Sequence, residues 1–348
     1  MKLFKFDPRN RYVFVRLAIL FSLIRKRKFT FKKFWNTTYS FLAYWLRLIK
    51  TAKVPFLISF ELWNECNARC VFCRTANGEI YDQNPASKDQ PVPLGKMPLE
   101  LYKDVISQVK NRLLMATLYI NGEPLLYKEL GEAVQFATQN RVATMIATNG
   151  TLLTEKRSRE LLEAGIDFVK IAISGYTQET YSKQVRYGDV EKVKEYIKTF
   201  LRLNREGKHG AVVMVDYMLY SYNQHELGAV RDFCNELGVM LSVRPGNPKG
   251  MEEAEESQNK GAETINVACD WLWKVLSINW NGDLLPCCDY VIWSGLKPYE
   301  RYEVGKTKIV DVWNGPQAVK MRQVHVKKGR QVIPICAKCV RTGIAFKW

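Results

Sequence analysis

The chain has 348 residues, 47% of them hydrophobic, with a formal net charge of +17. That length supports one large or two modest domains around a sizeable core, and 21 glycines with 13 prolines exclude a low-complexity or collagen-like chain. Residues 1–55 hold 14 Lys or Arg against Asp7 alone, so this segment carries 14 − 1 = +13 and everything after it 17 − 13 = +4, which leaves the body without a charge-based case for binding nucleic acid.

Residues 1–50 interleave that charge with 13 aromatic residues, among them Phe14, Phe21, Phe34, Trp35, Tyr44 and Trp45. Two apolar stretches, Leu17 to Ile24 and Phe41 to Leu46, flank the run Arg25, Lys26, Arg27, Lys28. Both are too short to span a bilayer, and no small-residue cleavage site follows the first. The segment reads as basic amphipathic helices. Contact with a membrane surface through residues 1–50, packing on the body with a solvated basic face, and docking of an acidic protein are the three readings.

Phe56 to Leu62, FLISFEL, follows Pro55 and is the first expected strand. Directly after it, CNARCVFC sets Cys66, Cys70 and Cys73 at CxxxCxxC spacing, with Phe72 just before the third. Soft thiolates suit iron–sulfur iron and zinc. A [4Fe–4S] cube takes one ligand per iron, so three thiols in one loop leave an iron open for chemistry. A zinc knuckle is the alternative, although zinc usually draws on CxxC pairs and four ligands.

Residues 79–97 read as a loop, and Pro98 opens a helix over Leu99 to Lys110. Strands are expected over Ala116 to Ile120, Val142 to Thr148, Phe168 to Ser174, Ala211 to Leu219 and Met240 to Arg244. Helices are expected over Lys128 to Asn140, Glu155 to Ala164, Val190 to Arg205 and His225 to Leu237. Six strands alternating with helices argue for parallel βαβ units. The polar, acidic stretch 246–263 then reads as a linker or lid loop.

In the tail, Cys269, Cys287, Cys288, Cys336 and Cys339 provide further thiols ending in a CxxC. Asn281-Gly282 is a favoured two-residue turn between strands Leu276 to Trp280 and Asp283 to Leu285, which would bring Cys269 and Cys287 together. Nine cysteines grouped this way, with Cys234 apart, fit metal sites in a reducing cytoplasm better than a secreted disulfide framework.

The cysteine loop, its place after the first strand, and the tail series ending in CxxC together resemble the radical S-adenosylmethionine (radical SAM) superfamily with a C-terminal SPASM or twitch cluster domain. The resemblance covers residues 56–342. It implies an α/β fold: a partial (β/α)6 barrel over 56–245, a cluster domain over 264–348 and a basic helical extension over 1–55. It also implies two [4Fe–4S] clusters and S-adenosylmethionine. Cys66, Cys70 and Cys73 would hold the first cluster and Cys269, Cys287, Cys336 and Cys339 the second. Phe72 would lie against adenine, and Gly122 with Glu123, in the NGEP turn, would receive the α-amino group. Asn149 would contact the ribose unless it only ends a strand, and Ser174 with Arg186 would bind the carboxylate, for which a guanidinium fork is well shaped. Asn121 stands where the family has its first glycine.

Cys288 is left over as an alternative ligand, a structural thiol or a hydrogen donor, and Asp289, near Tyr290 and Arg244, is a candidate base. The reaction implied is radical hydrogen abstraction ending in a two-electron oxidation, fed by a flavodoxin or ferredoxin. The substrate would be a small molecule, a peptide or a lipid-linked molecule. Epimerisation, peptide crosslinking, lipid or glycan modification, and electron transfer without radical chemistry are the rivals. Location is expected in the cytoplasm, with the inner membrane face as an added contact.

Overall fold

The structure, a computed structural model, describes residues 19–71, 94–245, 268–288, 297–337 and 339. The expected linker 246–263 lies outside these residues, as do Phe72, Cys73, Asp289 and Tyr290.

One sheet organises the chain. Its strands are β1 (Leu57–Phe60), β2 (Met115–Thr117), β3 (Ala143–Thr148), β4 (Phe168–Ile173), β5 (Val212–Leu219), β6 (Met240–Pro245), β7 (Val275–Ile278), β8 (Asp283–Leu285) and β9 (Glu300–Arg301), ordered β6-β5-β4-β3-β2-β1-β7-β8-β9. From β6 across to β7 every pairing is parallel, and β8 and β9 add an antiparallel edge. Helices α2 (Leu99–Val109), α3 (Leu130–Gln139), α4 (Glu155–Glu163), α6 (Val190–Glu206) and α7 (Leu227–Leu237) connect the parallel strands. A short α5 (Gln178–Ser182) lies between β4 and α6.

Alternation along the strands sends two sets of side chains to opposite faces. Ile58, Phe60, Ala116, Ile146 and Ile171 meet the helices in the main core with Val105, Val134, Ile197 and Phe200. Leu57, Met115, Ala143, Met145, Phe168 and Val275 form a second cluster on the concave face, at the strands' N-terminal ends. Leu23 seals that cluster at 1% exposure, a burial that contributes about 2 kcal/mol.

Leu23 belongs to the basic N-terminal segment, which is helical over residues 19–25 and again in α1 (Phe31–Trp45). The segment crosses the bottom of the sheet. Lys28 Nζ reaches Asp167 Oδ2, just before β4, at 2.6 Å, and Lys26 Nζ reaches the other oxygen at 3.2 Å. Lys33 Nζ donates to the Arg141 carbonyl, and Asn36 Nδ2 to the Val54 carbonyl at 2.9 Å. The segment thus packs on the body, and most of its basic side chains stay exposed; what differs from the expectation is that Lys28 and Lys33 are buried beneath it and that aromatic residues share the solvent side of α1. No helix among the described residues is long and apolar enough to cross a membrane.

Three further expectations are adjusted. β2 ends at Thr117 and not at Ile120, because the chain bends to join the cysteine loop, with Asn121 Nδ2 donating to Glu61 Oε1 at 2.7 Å. The helix expected from His225 begins at Leu227, after 3₁₀ turns over Ser221–Glu226. The tail hairpin forms, but its strand is Val275–Ile278, preceded by helical Trp271–Lys274. Its loop has three residues, not two: Asn279 N–H donates to the Asp283 carbonyl, Gly282 N–H donates to the Asn279 carbonyl, and Gly282 takes the left-handed position at φ +90°.

Candidate active site

The cysteine loop leaves the C-terminal end of β1, and a second loop is fastened along it. Val71 N–H donates to the Gln184 carbonyl at 3.0 Å, Tyr187 N–H to the Ala68 carbonyl at 3.4 Å, and Cys70 bridges Val185. Beneath them Ala68, Tyr181, Val185 and Val190 form a small core against which Cys66 and Cys70 pack. The pairing carries Arg186, exposed, to the side of the cysteines. The separation of 116 positions between Cys70 and Arg186 hides this proximity from a sequence reading.

The NGEP turn sits on the same loop from the other side. Gly122 has φ +72°, and a Cβ there would meet the Trp63 carbonyl and, at 2.6 Å, the Glu65 carbonyl. Only glycine permits that approach. Glu123 N–H then donates to the Glu65 carbonyl at 2.8 Å. The Glu123 side chain is buried and reaches β3: Oε1 accepts from Thr148 Oγ1 at 2.6 Å and from Leu125 N–H at 3.0 Å, and Oε2 accepts from Asn149 N–H at 2.8 Å. Burial pushes its carboxyl up to about 7, with those three donors opposing. The carboxylate thus braces the turn while retaining unused lone pairs.

Asn149 bridges back to the cysteines. Its Nδ2 donates to Asn67 Oδ1 at 3.0 Å and points at Cys66 Sγ, 3.8 Å away, and Asn67 Nδ2 donates to Thr151 Oγ1 at 2.8 Å. Ala68 N–H also approaches Cys66 Sγ, at 3.5 Å. N–H donors directed at a thiolate sulfur suit a cluster ligand. Ser174, at the end of β4, is buried, its carbonyl held by Asn223 Nδ2 at 2.8 Å. Its Oγ, beside the Tyr222 hydroxyl, makes no well-directed hydrogen bond among the described residues. A buried donor left over at this point fits an anionic group that it could hold.

Below these groups the concave face turns polar. Asp216 on β5 accepts from Arg244 Nε at 2.7 Å and from Ser242 Oγ at 2.7 Å, and Lys170 Nζ lies 3.1 Å from it. Burial opposes ionisation of Asp216, but Lys170 and Arg244 outweigh it and hold the carboxyl below its usual range. Of this trio the sequence drew attention to Arg244 alone. The available signal was a single charge inside each of two apolar strands, Lys170 in FVKIAI and Asp216 in VVMVDYML. Glu61, buried at the end of β1 and pushed up to about 7 by burial, was missed likewise, as was Asn67.

Cys234 belongs to the main core between α7 and the sheet, away from the concave face.

In the tail, Cys269 and Cys287 flank the feet of the β7–β8 hairpin. Burial pushes the Cys269 thiol up to about 12, and Cys339 and Cys336 act on it through space. Cys269 N–H donates to His325 Nδ1 at 3.2 Å, a contact no motif announced, and Cys339 N–H to the Cys336 carbonyl at 3.3 Å. Among the described residues no three His, Cys, Asp or Glu side chains are gathered closely enough to grip a single ion. Cys288 is half-buried beside Cys287.

Comparison with known proteins fits this arrangement. The "Radical SAM superfamily" model matches residues 60–234, half of the chain, and the SPASM "Iron-sulfur cluster-binding domain" model matches 269–340. A probable GTP 3',8-cyclase of Methanocaldococcus jannaschii is 24% identical over 53% of this chain and 57% of its own length. An AdoMet-dependent heme synthase of Methanosarcina barkeri is 30% identical over 38% and 35%. The chain thus spans about half or less of these relatives. Streptococcus suis SuiB, in a structure bound to the precursor peptide SuiA, superposes with TM-score 0.59 at 14% identity, over 77% of this chain and 66% of that one. Native anSMEcpe with bound AdoMet gives 0.54 at 14%, over 76% and 82%. At that identity the likeness is one of fold.

Half the length under one family model and a cluster-binding domain under a second, on a parallel sheet whose cysteine loop leaves the C-terminal end of β1, lead to one assignment: the chain belongs to the radical SAM superfamily and carries a SPASM iron–sulfur cluster-binding domain.

Proposed function

We propose that this enzyme abstracts a hydrogen atom from a polar substrate held on the concave face of the sheet and completes a two-electron oxidation. When bound, the cluster on Cys66, Cys70 and Cys73 supplies the electron that splits S-adenosylmethionine into methionine and a 5′-deoxyadenosyl radical. The remaining tasks fall to the chain. The Gly122-Glu123 turn offers carbonyl and carboxylate acceptors to the α-amino group, and Ser174 with Arg186 offers donors to the carboxylate. Asn149 would contact the ribose and Phe72 the adenine. Cys269, Cys287, Cys336 and Cys339 would hold one auxiliary cluster. A two-electron oxidation would take from the substrate one hydrogen atom, one electron that a cluster on the tail cysteines would accept, and one proton, for which Asp289 is the candidate base. A flavodoxin or ferredoxin would carry electrons in a reducing cytoplasm.

The observation that carries this reading is the convergence of three separate chain segments on the cysteine loop: the NGEP turn, the end of β3, and the Arg186 loop. Lys170 and Arg244 around Asp216 add one net positive charge to the concave face, which favours a substrate bearing an anionic group. A peptide is the second reading, favoured by the fold shared with peptide-bound SuiB. Anaerobic reconstitution followed by a 5′-deoxyadenosine assay tests the proposal. Wild-type protein should form it, and a variant with Cys66, Cys70 and Cys73 all changed to Ala should not. Equal formation by both would refute the assignment of the cysteine loop, and cofactor cleavage without any oxidised product from anionic substrates would refute the oxidation.

A further inference from the structure

Helix α1 is built inside out. Lys33, Asn36, Ser40 and Ala43 face the body, spaced three to four residues apart on one stripe, and the first three of these are polar. Ser40 Oγ turns back onto the Asn36 carbonyl at 2.9 Å, so the stripe's polar groups are satisfied within the protein. The opposite stripe carries Phe31, Trp35, Leu42 and Trp45, with Phe31 74% and Trp45 79% exposed. Phe31 stacks edge-on against Trp35 with centroids 5.9 Å apart, and Phe34 against Trp35 at 5.5 Å, so the aromatic face is ordered before anything covers it. Upstream, Phe21 and Ile24 continue it, 68% and 51% exposed. A contiguous apolar surface of this kind marks an interaction site.

Charge selects the partner. From residue 19 to residue 60 the sequence contains no Asp or Glu, while Arg25, Arg27, Lys32, Arg47, Lys50 and Lys53 are exposed along and beside the aromatic face. Trp, Tyr and Phe backed by Lys and Arg is the composition of segments that lie in the headgroup region of an anionic bilayer. Fifteen residues are too few to span, and the buried stripe is bonded to the body, so α1 could only lie flat.

We propose that the α1 face docks the protein on the surface of a bilayer containing anionic lipid, with the catalytic end turned away from it. The orientation follows from where the buried stripe is anchored. Val54 and Arg141 precede β1 and β3, and Phe41 packs on Phe56 with centroids 5.6 Å apart, all at the N-terminal ends of the strands. Cys66, Glu123, Asn149 and Ser174 sit at the other ends. A docked molecule therefore receives its substrate from the aqueous side. The proposal stands independently of the reaction catalysed.

The test uses the full-length, cluster-reconstituted protein with vesicles of phosphatidylcholine alone or mixed with phosphatidylglycerol. Wild-type protein should co-sediment with the mixed vesicles, less so as salt is raised, and brominated lipid should quench its tryptophan fluorescence. Replacing Phe31, Trp35 and Trp45 together by Ser should lower partitioning by about tenfold or more while leaving 5′-deoxyadenosine formation unchanged. The pair Lys32→Glu and Arg47→Glu, which leaves the aromatic face intact, should remove the preference for phosphatidylglycerol. Three results would each overturn the proposal: wild-type protein that ignores mixed vesicles, a dimer held through this face that leaves vesicles unbound, or loss of cofactor cleavage on binding, which would contradict the orientation.

Discussion

Glu123→Gln tests whether the cofactor-side turn depends on one buried carboxylate. Three donors converge on it: the Thr148 hydroxyl, the Leu125 N–H and the Asn149 N–H. A carboxamide has one acceptor oxygen, so in either orientation its NH2 faces at least one of these donors. Leaving one buried donor unpaired costs about 1–3 kcal/mol. The Asn149 amide is the donor that also sets the approach of Asn149 to Cys66, so the variant should bind S-adenosylmethionine about 5- to 150-fold more weakly near pH 8. The effect should depend on pH with a definite sign. Burial raises the carboxyl to about 7, so Glu123 is neutral and Gln-like below that value and ionised above it. The ratio of wild-type to variant affinity should therefore be small near pH 6 and grow through about pH 7. Anaerobic calorimetry across that range, with iron content matched between proteins, reads it directly. A ratio of one at every pH would refute the bracing role, and a ratio that falls with rising pH would refute the assigned ionisation.

Two further substitutions probe the frame. Glu61 also has a folded-state value raised by burial, from 4.5 to about 7, so the folded state keeps a proton that the unfolded state has released, and stability falls as pH rises across that span. At ~1.4 kcal/mol per pH unit the loss approaches about 3 kcal/mol, and Glu61→Gln should remove it; denaturant titrations giving parallel pH profiles for both proteins would refute this. Lys28→Met leaves Asp167 buried with Thr144 N–H and the more distant Lys26. The expected cost is about 3–5 kcal/mol and should shrink in an Asp167→Asn background, a coupling that a double-mutant cycle in chemical denaturation measures; additive losses would mean that the pair does not anchor the N-terminal segment.

What could be read from the sequence was what is local. Strand–helix alternation is carried by short-range periodicity, and the cysteine spacing is itself a local fact. β2 was overextended because Leu118, Tyr119 and Ile120 continue an apolar pattern, while the bond that ends it, Asn121 to Glu61, joins residues 60 apart. The hairpin loop was misjudged because Asn279 and Asn281 both accept from Asp283 N–H, at 2.9 and 3.0 Å, and stabilise the longer turn. The orientation of α1 was beyond reach: a lysine at position 28 looks solvated until Asp167 is known to wait beneath it. The same holds for Lys170, Asp216 and Arg244, whose meaning appears only when three neighbouring strands are laid side by side.

The pairing of β7 with β1 is a matter of measurement as much as of stability. Phe60, six residues before Cys66, is in register with Ile278, and Val275, at the foot of the same strand, adjoins the short helical turn that follows Cys269. Three residue steps at ~3.3 Å separate these levels by about 10 Å. The ladder thereby fixes the level of the strand that leads into the cysteine loop against the start of β7, through hydrogen-bonded strands and not a hinge. A slip of β7 against β1 by one residue would therefore displace the hairpin that follows Cys269 by ~3.3 Å relative to the strand that precedes Cys66.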